Sequence, residues 1–391
     1  MKSPSSKLRI VVLGYIVRGP LGGLVWHHLQ YLIGLQKMGH EVFFLEDSDD
    51  YPSCYRPGLF ELTTDASYGL KFISDISGQY LPGIKWAYYD AHRLQWHGST
   101  REDTVSFCRS ADILLNLSGS NPLRDWVLKI PQRVFIDTDP VFTQIRHLTD
   151  AGAATLANQH NCFFSFGENF GRQNCSMPDD NLKWKPTRQP VVTEIWQAPP
   201  GNPKAKWTTV MQWDSYQKRE YKGKIYGMKS SSFDPFFELP LLINESFEIA
   251  MGSATAPKDK ISSRGWIIKD PLAVTKTPET YKDYIRSSKG EWSVAKQGYV
   301  AACSGWFSER SCCYLASGRP VVIQDTGFSA FLETGRGLLC FTNTEEAVAA
   351  INEINSNYPA HCNSARHIAE EYFDYRKVLN NLIEKTFTAA L

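Results

Sequence analysis

No Cys-x-x-Cys pair occurs in this sequence, and its nine cysteines, at 54, 108, 162, 175, 303, 312, 313, 340 and 362, are an odd number. Both facts speak against a disulfide framework and against a structural zinc site. Charge of one sign is missing too: 42 Lys and Arg face 41 Asp and Glu, a net charge of +1. Such a chain has no field to gather nucleic acid or an acidic membrane. No run of about 18 apolar residues occurs. The N-terminal stretch MKSPSSKLRIVVLGYIV is too short for a membrane span and has no small-residue cleavage site. The expectation is a soluble, cytoplasmic protein with no integral membrane segment.

Hydrophobic residues make up 42% of the 391 positions, enough for two ordinary cores, and the length points to two domains. The 11 Trp and 18 Tyr are a high aromatic load. Such rings line sugar-binding clefts, but most serve as core.

The chain is organised around residues 298–328, GYVAACSGWFSERSCCYLASGRPVVIQDTGF. Residues 305–308 read as a loop, and 309–316 as two helical turns with Ser308 as N-cap. Gly318 suits the positive φ that ends the helix. Val321-Val322-Ile323 reads as a buried parallel strand with Asp325-Thr326-Gly327 at its carboxyl end, where ligands bind in open α/β sheets. A helix start with a Ser cap and an Arg in its first turn suits phosphate.

Upstream, LRIVVL (8–13) is a strand, GYIVRGPLGG (14–23) a glycine-rich turn, 24–38 an amphipathic helix and EVFFL (41–45) a second strand. Glu46 and Asp47 at that strand's end fit a ribose, but glycines at 14, 19, 22 and 23 do not match the dinucleotide pattern G-x-G-x-x-G. Residues 49–99 read as irregular and 101–109 as a helix. Strands over 113–117, 133–136 and 163–166 each end in a cluster of small polar residues, which points to one functional sheet edge. Residues 173–203 are polar and proline-rich and read as a linker. A second αβ series follows, with strands at 207–212, 247–251, 266–268 and 291–296, a helix over 278–288, and helical runs over 344–355, 362–372 and 375–389.

These motifs resemble the GT-B glycosyltransferases, of the group 1, or family 4, type. The resemblance rests on GWFSERSCCYLASGRPVVIQDTGF, GRGLLCF and an EEAVAAI helix in the C-terminal half, and on GGLVWHHLQYLIGLQKMGHEVFFL in the N-terminal half. Phe307, Ala316, Gly318 and Pro320-Val321-Val322 fall on family positions, as does Gly39-His40-Glu41-Val42. The family's paired glutamates fall on Gly305 and Cys313, so that motif is missing, with Glu309 and Arg310 as charges nearby. The resemblance implies two facing Rossmann-like domains: an acceptor domain over 1–185, a linker over 186–203, a nucleotide-sugar donor domain over 204–365, and a terminal helix over 366–391 that packs back on the first domain.

It also implies transfer of a sugar from a nucleoside diphosphate sugar to a small-molecule or glycan acceptor, with no cofactor and no metal. The diphosphate site is expected at Ser308, Arg310 and Ser311 with Lys229 and Lys296, although either lysine could be a solvated surface charge and Arg310 could form a buried ion pair. Gly22 and Gly23 would admit a close approach of donor or acceptor, and Asp325, Thr326 and Gly327 would touch sugar hydroxyls. For the base, His27 lies off the main apolar face of its helix. Asp137 and Asp139 are rivals that could instead cap a helix near Val141. A nucleotide-sugar epimerase of the same fold and a non-catalytic binder of sugar nucleotides or glycans are the alternatives.

Overall fold

The computed structural model describes residues 7–388; the first six residues and the last three, which the domain and terminal-helix readings include, lie outside the described residues. Two open sheets carry the fold. The first has strands β1 (Arg9–Leu13), β2 (Glu41–Asp47), β3 (Lys85–Asp90), β4 (Gln95–Gly98), β5 (Ile113–Leu117), β6 (Gln132–Asp137), β7 (Cys162–Ser165) and β8 (Trp184–Pro186), in the order β8-β7-β6-β5-β1-β2-β3-β4. All its pairings are parallel except β3 with β4. The second is wholly parallel, with β9 (Trp207–Gln212), β10 (Phe247–Gly252), β11 (Ile267–Lys269), β12 (Gly290–Ser293), β13 (Val321–Gln324) and β14 (Leu338–Phe341) in the order β11-β10-β9-β12-β13-β14.

The central strands are continuous apolar runs because both faces are covered. In β1, Ile10 and Val12 join the core beneath the helix α1 (Gly22–Lys37), while Val11 and Leu13 join a second core with Phe43, Phe107 and Leu114. In each sheet the order reverses beside its first strand, at β1/β5 and at β9/β12. Such switch points open a crevice at the carboxyl ends of the strands.

One apolar cluster runs through both halves. It takes in Trp26 of α1, Tyr281 of α2 (Pro278–Ser287), Phe307, Leu315 of α3 (Glu309–Ala316), and Leu379 of α4 (Tyr375–Thr388). α4 lies on α1, where a Cβ on Gly34 would come within 2.9 Å of Leu379. Trp26 Nε1 donates to the Pro278 carbonyl at 2.8 Å, so the halves are joined by directed bonds as well as by packing.

Two stretches differ from the sequence expectation. Residues 49–99 contain a helix over Ser67–Tyr80, strands β3 and β4, and a two-stranded hairpin of Cys54–Arg56 and Glu61–Thr63. Within the proline-rich 173–203 run, β8 adds a strand to the first sheet, and Trp196 is fully buried.

Candidate active site

A cleft of about 450 Å³ lies between the carboxyl edges of the two sheets. Its first wall begins with the glycine-rich turn after β1. Glu46 at the end of β2 holds that turn: its carboxylate accepts the Val17 and Arg18 amides, both at 2.7 Å, and Arg18 Nε at 3.3 Å. Burial pushes the Glu46 carboxyl up to about 7, against the pull of Arg18. Asp47 pairs with Arg124. Neither acid is left for a ribose. His28 pins the same turn, accepting from the Tyr15 amide at 3.1 Å through Nε2 while Nδ1 donates to the Leu24 carbonyl at 2.7 Å.

His27, one residue earlier on α1, faces the cleft. Its Nδ1 meets Gln189 Oε1 at 2.6 Å, and Gln189 Nε2 donates to the His27 and Pro190 carbonyls. Two carbonyls can only accept, so the Gln189 amide is oriented with its oxygen toward the ring and His27 carries its proton on Nδ1. Nε2 is then a bare lone pair, buried and without a partner among the described residues. Burial lowers the His27 pKa and keeps the ring neutral, with Glu309 and Gln189 opposing.

Asp139, beyond β6, also lines the cleft, but its oxygens are taken. Lys296 Nζ reaches Oδ1 at 2.7 Å, the Tyr216 hydroxyl donates to Oδ2 at 2.5 Å, and the Tyr299 hydroxyl donates to Oδ1. Lys296 also donates to Tyr216 at 2.9 Å. A carboxylate holding three donors is a poor proton acceptor. Asp139 and Lys296 therefore tie one half of the molecule to the other across the cleft, rather than standing ready as base and bare phosphate ligand. Asp137 is buried and holds Gln144 and Ser165.

On the opposite wall, α3 starts where the sequence places it, with Ser308 Oγ accepting the Arg310 amide at 3.2 Å. Ser308, Glu309, Arg310 and Lys229 all line the cleft. Arg310 is committed inward: Nε to Glu291 at 2.5 Å, Nη1 to the Val210 carbonyl at 2.7 Å and Nη2 to Ser293 at 2.9 Å. It forms the buried ion pair that was its alternative reading, and adds charge to the cleft more than free donors. Lys229 is the reverse case. Among the described residues its ammonium has no hydrogen-bond or ion-pair partner, and burial, with Arg310 beside it, holds its pKa well below the ordinary value. Glu309 likewise has no side-chain partner among the described residues.

The remaining expected residues lie elsewhere. Ser311 and Thr326 face a small separate cavity behind α3. The Thr326 hydroxyl donates to the Trp306 carbonyl at 2.6 Å. Asp325 caps its own turn, accepting from the Gly327 amide at 2.7 Å and the Ser329 hydroxyl at 2.5 Å. The Gly327 carbonyl accepts from Asn169 of the first half at 3.0 Å. Asp325 and Thr326 hold the loop after β13, Gly327 joins it to the first half, and none of the three lines the cleft. Gly22 is a packing position: a Cβ there would lie 2.3 Å from the Thr277 carbonyl oxygen. Gly23 does line the cleft, against the Tyr281 ring.

Tyr15, Tyr281, Tyr299 and Trp306 complete the walls. None stood out in the sequence, because an aromatic reads the same whether it faces a cleft or a core. Among the described residues no group of three or more His, Cys, Asp or Glu converges as a metal set, and no helix is long and apolar enough to cross a membrane.

No family model matches the chain, and no curated protein matches it in sequence. Solved structures do. An α-glucosyltransferase in complex with UDP and a 13-mer DNA is similar over 98% of this chain and 100% of its own, at a TM-score of 0.58 and 10% identity. HepE of Anabaena, in complex with UDP-glucose, is similar over 98% of this chain and 100% of its own, at 0.55 and 11%. AviGT4, a glycosyltransferase of avilamycin A biosynthesis, is similar over 98% of both chains, at 0.54 and 13%. Two doubly wound sheets facing each other across a cleft, matched over nearly the whole length of such enzymes, are the GT-B fold, and this chain has it.

Proposed function

We propose that this protein is a glycosyltransferase that moves a sugar from a nucleoside diphosphate sugar to a hydroxyl acceptor. The observation that carries the reading is the complement of groups in the cleft that have no partner among the described residues: the Lys229 amine beside the start of α3 and, opposite it, the proton-free Nε2 of His27. Leaving-group charge needs a cation and helix N–H groups, and Lys229, Arg310 and the Ser308-capped helix start are together on one wall. The acceptor hydroxyl needs a base, and His27 Nε2 is neutral, oriented and water-poor on the other. The GT-B neighbours solved with UDP and UDP-glucose support the same reading. All nine thiols are free, which supports placing the enzyme in the cytoplasm. The acceptor is a small molecule or a glycan, and the reaction is read as needing no cofactor or metal.

Incubation with UDP-, GDP-, ADP- and dTDP-sugars tests this. Slow hydrolysis of one donor, abolished by His27→Ala or Lys229→Ala, is the expected result. Interconversion of one free sugar nucleotide into another would make the protein an epimerase, and binding without turnover across varied acceptors would make it a non-catalytic binder.

A further inference from the structure

Among the described residues, the Lys229 amine and the Glu309 carboxylate have no hydrogen-bond or ion-pair partner in the cleft, and His27 presents a bare Nε2 there. Lys229 matches the diphosphate and His27 the acceptor. Glu309 has no counterpart in that scheme. It sits in the first turn of α3, lines the cleft, and lies close enough to act electrostatically on both His27 and Lys229. A bare carboxylate beside a diphosphate site repels the leaving group and weakens its binding. Attraction to Lys229 and Arg310 offsets part of that repulsion, and the carboxylate's own lone pairs are satisfied when the ligand brings hydroxyl donors to it. Adjacent ring hydroxyls of a sugar do this, because a carboxylate has two oxygens and accepts two such bonds at once. It lines the cleft on the wall of the cation, facing the wall of the base, and the sugar that links diphosphate to acceptor lies in that cleft.

We propose that Glu309 is a specificity-determining residue that accepts hydrogen bonds from hydroxyls of the transferred sugar, so that the cleft prefers a sugar-bearing diphosphate over the bare nucleoside diphosphate. This rests on the glycosyltransferase reading above. The Lys229 side of the cleft then holds what all donors share, and Glu309 holds what distinguishes donor from spent product. A product that loses the sugar loses these bonds and keeps the repulsion, which favours its release.

The test is titration calorimetry of the wild type and Glu309→Gln with UDP, GDP, ADP and dTDP and with the glucose conjugate of each. Binding of the sugar conjugate should weaken about tenfold or more in the variant, the size of a lost charged hydrogen bond. Binding of the matching bare diphosphate should be unchanged or tighter. Equal weakening of both would place Glu309 at the nucleoside or in the framework and overturn the proposal, as would no change in either. Wild type that binds none of the eight compounds would overturn the glycosyltransferase reading and this proposal together. Deoxyglucose conjugates, each lacking one ring hydroxyl, give a second measurement: the critical deoxy analogue should bind more weakly than glucose to the wild type but not to Glu309→Gln. A penalty that persists in the variant would also overturn it.

Discussion

At the scale of single residues, the cleft separates charges that are spent from charges that are available. Arg310 and Glu291 neutralise one another in the interior, and an ion pair of that kind fixes geometry more than it adds stability. Lys229 has no such partner, so an incoming anion should do for it what no carboxylate does. Its depressed pKa predicts that diphosphate binding, by supplying the opposite charge, raises the pKa and draws in a proton. Calorimetry in buffers of different ionisation enthalpy should therefore show proton uptake, and Lys229→Met should abolish both the uptake and at least about tenfold of the affinity. Uptake that survives the substitution would assign it elsewhere. His27 makes the opposite prediction, acting on transfer and not on binding. His27→Ala should lower turnover by about 10²–10⁴-fold while donor affinity stays within about twofold. Gln189→Leu should retain part of the activity, because it frees the ring to turn without removing the lone pair.

At the scale of elements, the cleft owes its shape to how closely α1 and α2 approach. Gly22 has no side chain, and the Thr277 carbonyl occupies the space a Cβ would need. Gly22→Val should force the two helices apart at a cost of about 1–3 kcal/mol, read as a lower midpoint in urea denaturation. A neutral result would mean that the first turn of α1 can shift freely. Buried histidines mark the same half. His160 lies against Phe135, receives the Asn116 amide at 3.1 Å, and is held by burial at a pKa of about 4, from an ordinary 6.5. The unfolded chain protonates first, so stability is full above about pH 6.5 and is lost as pH falls toward 4. The loss is about 3 kcal/mol for this group, with His28 and His27 adding in the same direction. Thermal melts across that window should show the decline, and His160→Gln should flatten it.

At the scale of the whole molecule, several contacts join the two halves around the cleft. α1 meets α2 on one side, Asn169 bridges to Cys303 and Gly327 at the floor, and Asp139 holds Lys296, Tyr216 and Tyr299 at the rim. The rim contact is the one made of charges, and it spends Lys296 on Asp139. Asp139→Asn should loosen it, increase the radius of gyration in X-ray scattering, and tighten diphosphate binding because Lys296 is released. Weaker binding with unchanged scattering would place Asp139 in the binding site proper.

Whatever local chemistry enforces is legible in the sequence. The cap at Ser308, the positive φ of 63° at Gly318 and the apolar runs of β1, β2, β9 and β13 are each dictated within a few residues. The chain order of those runs was enough to expect two αβ series, and the family resemblance implied that they face each other. Residues 49–99 were not legible because their helix buries only Gly69, Phe72, Ile73 and Ile76, and their strands lie toward the sheet edge, so period gives a weak signal. Which charges are free was decided only by tertiary structure. Asp139 and Lys296 are 157 positions apart, and so are no more conspicuous in the sequence than any other acid and base. Arg310 and Lys229 read alike as cations near a loop, yet in the folded chain one meets Glu291 and the other has no partner among the described residues. Pairing depends on what the fold brings within hydrogen-bond reach, and local spacing carries no record of it.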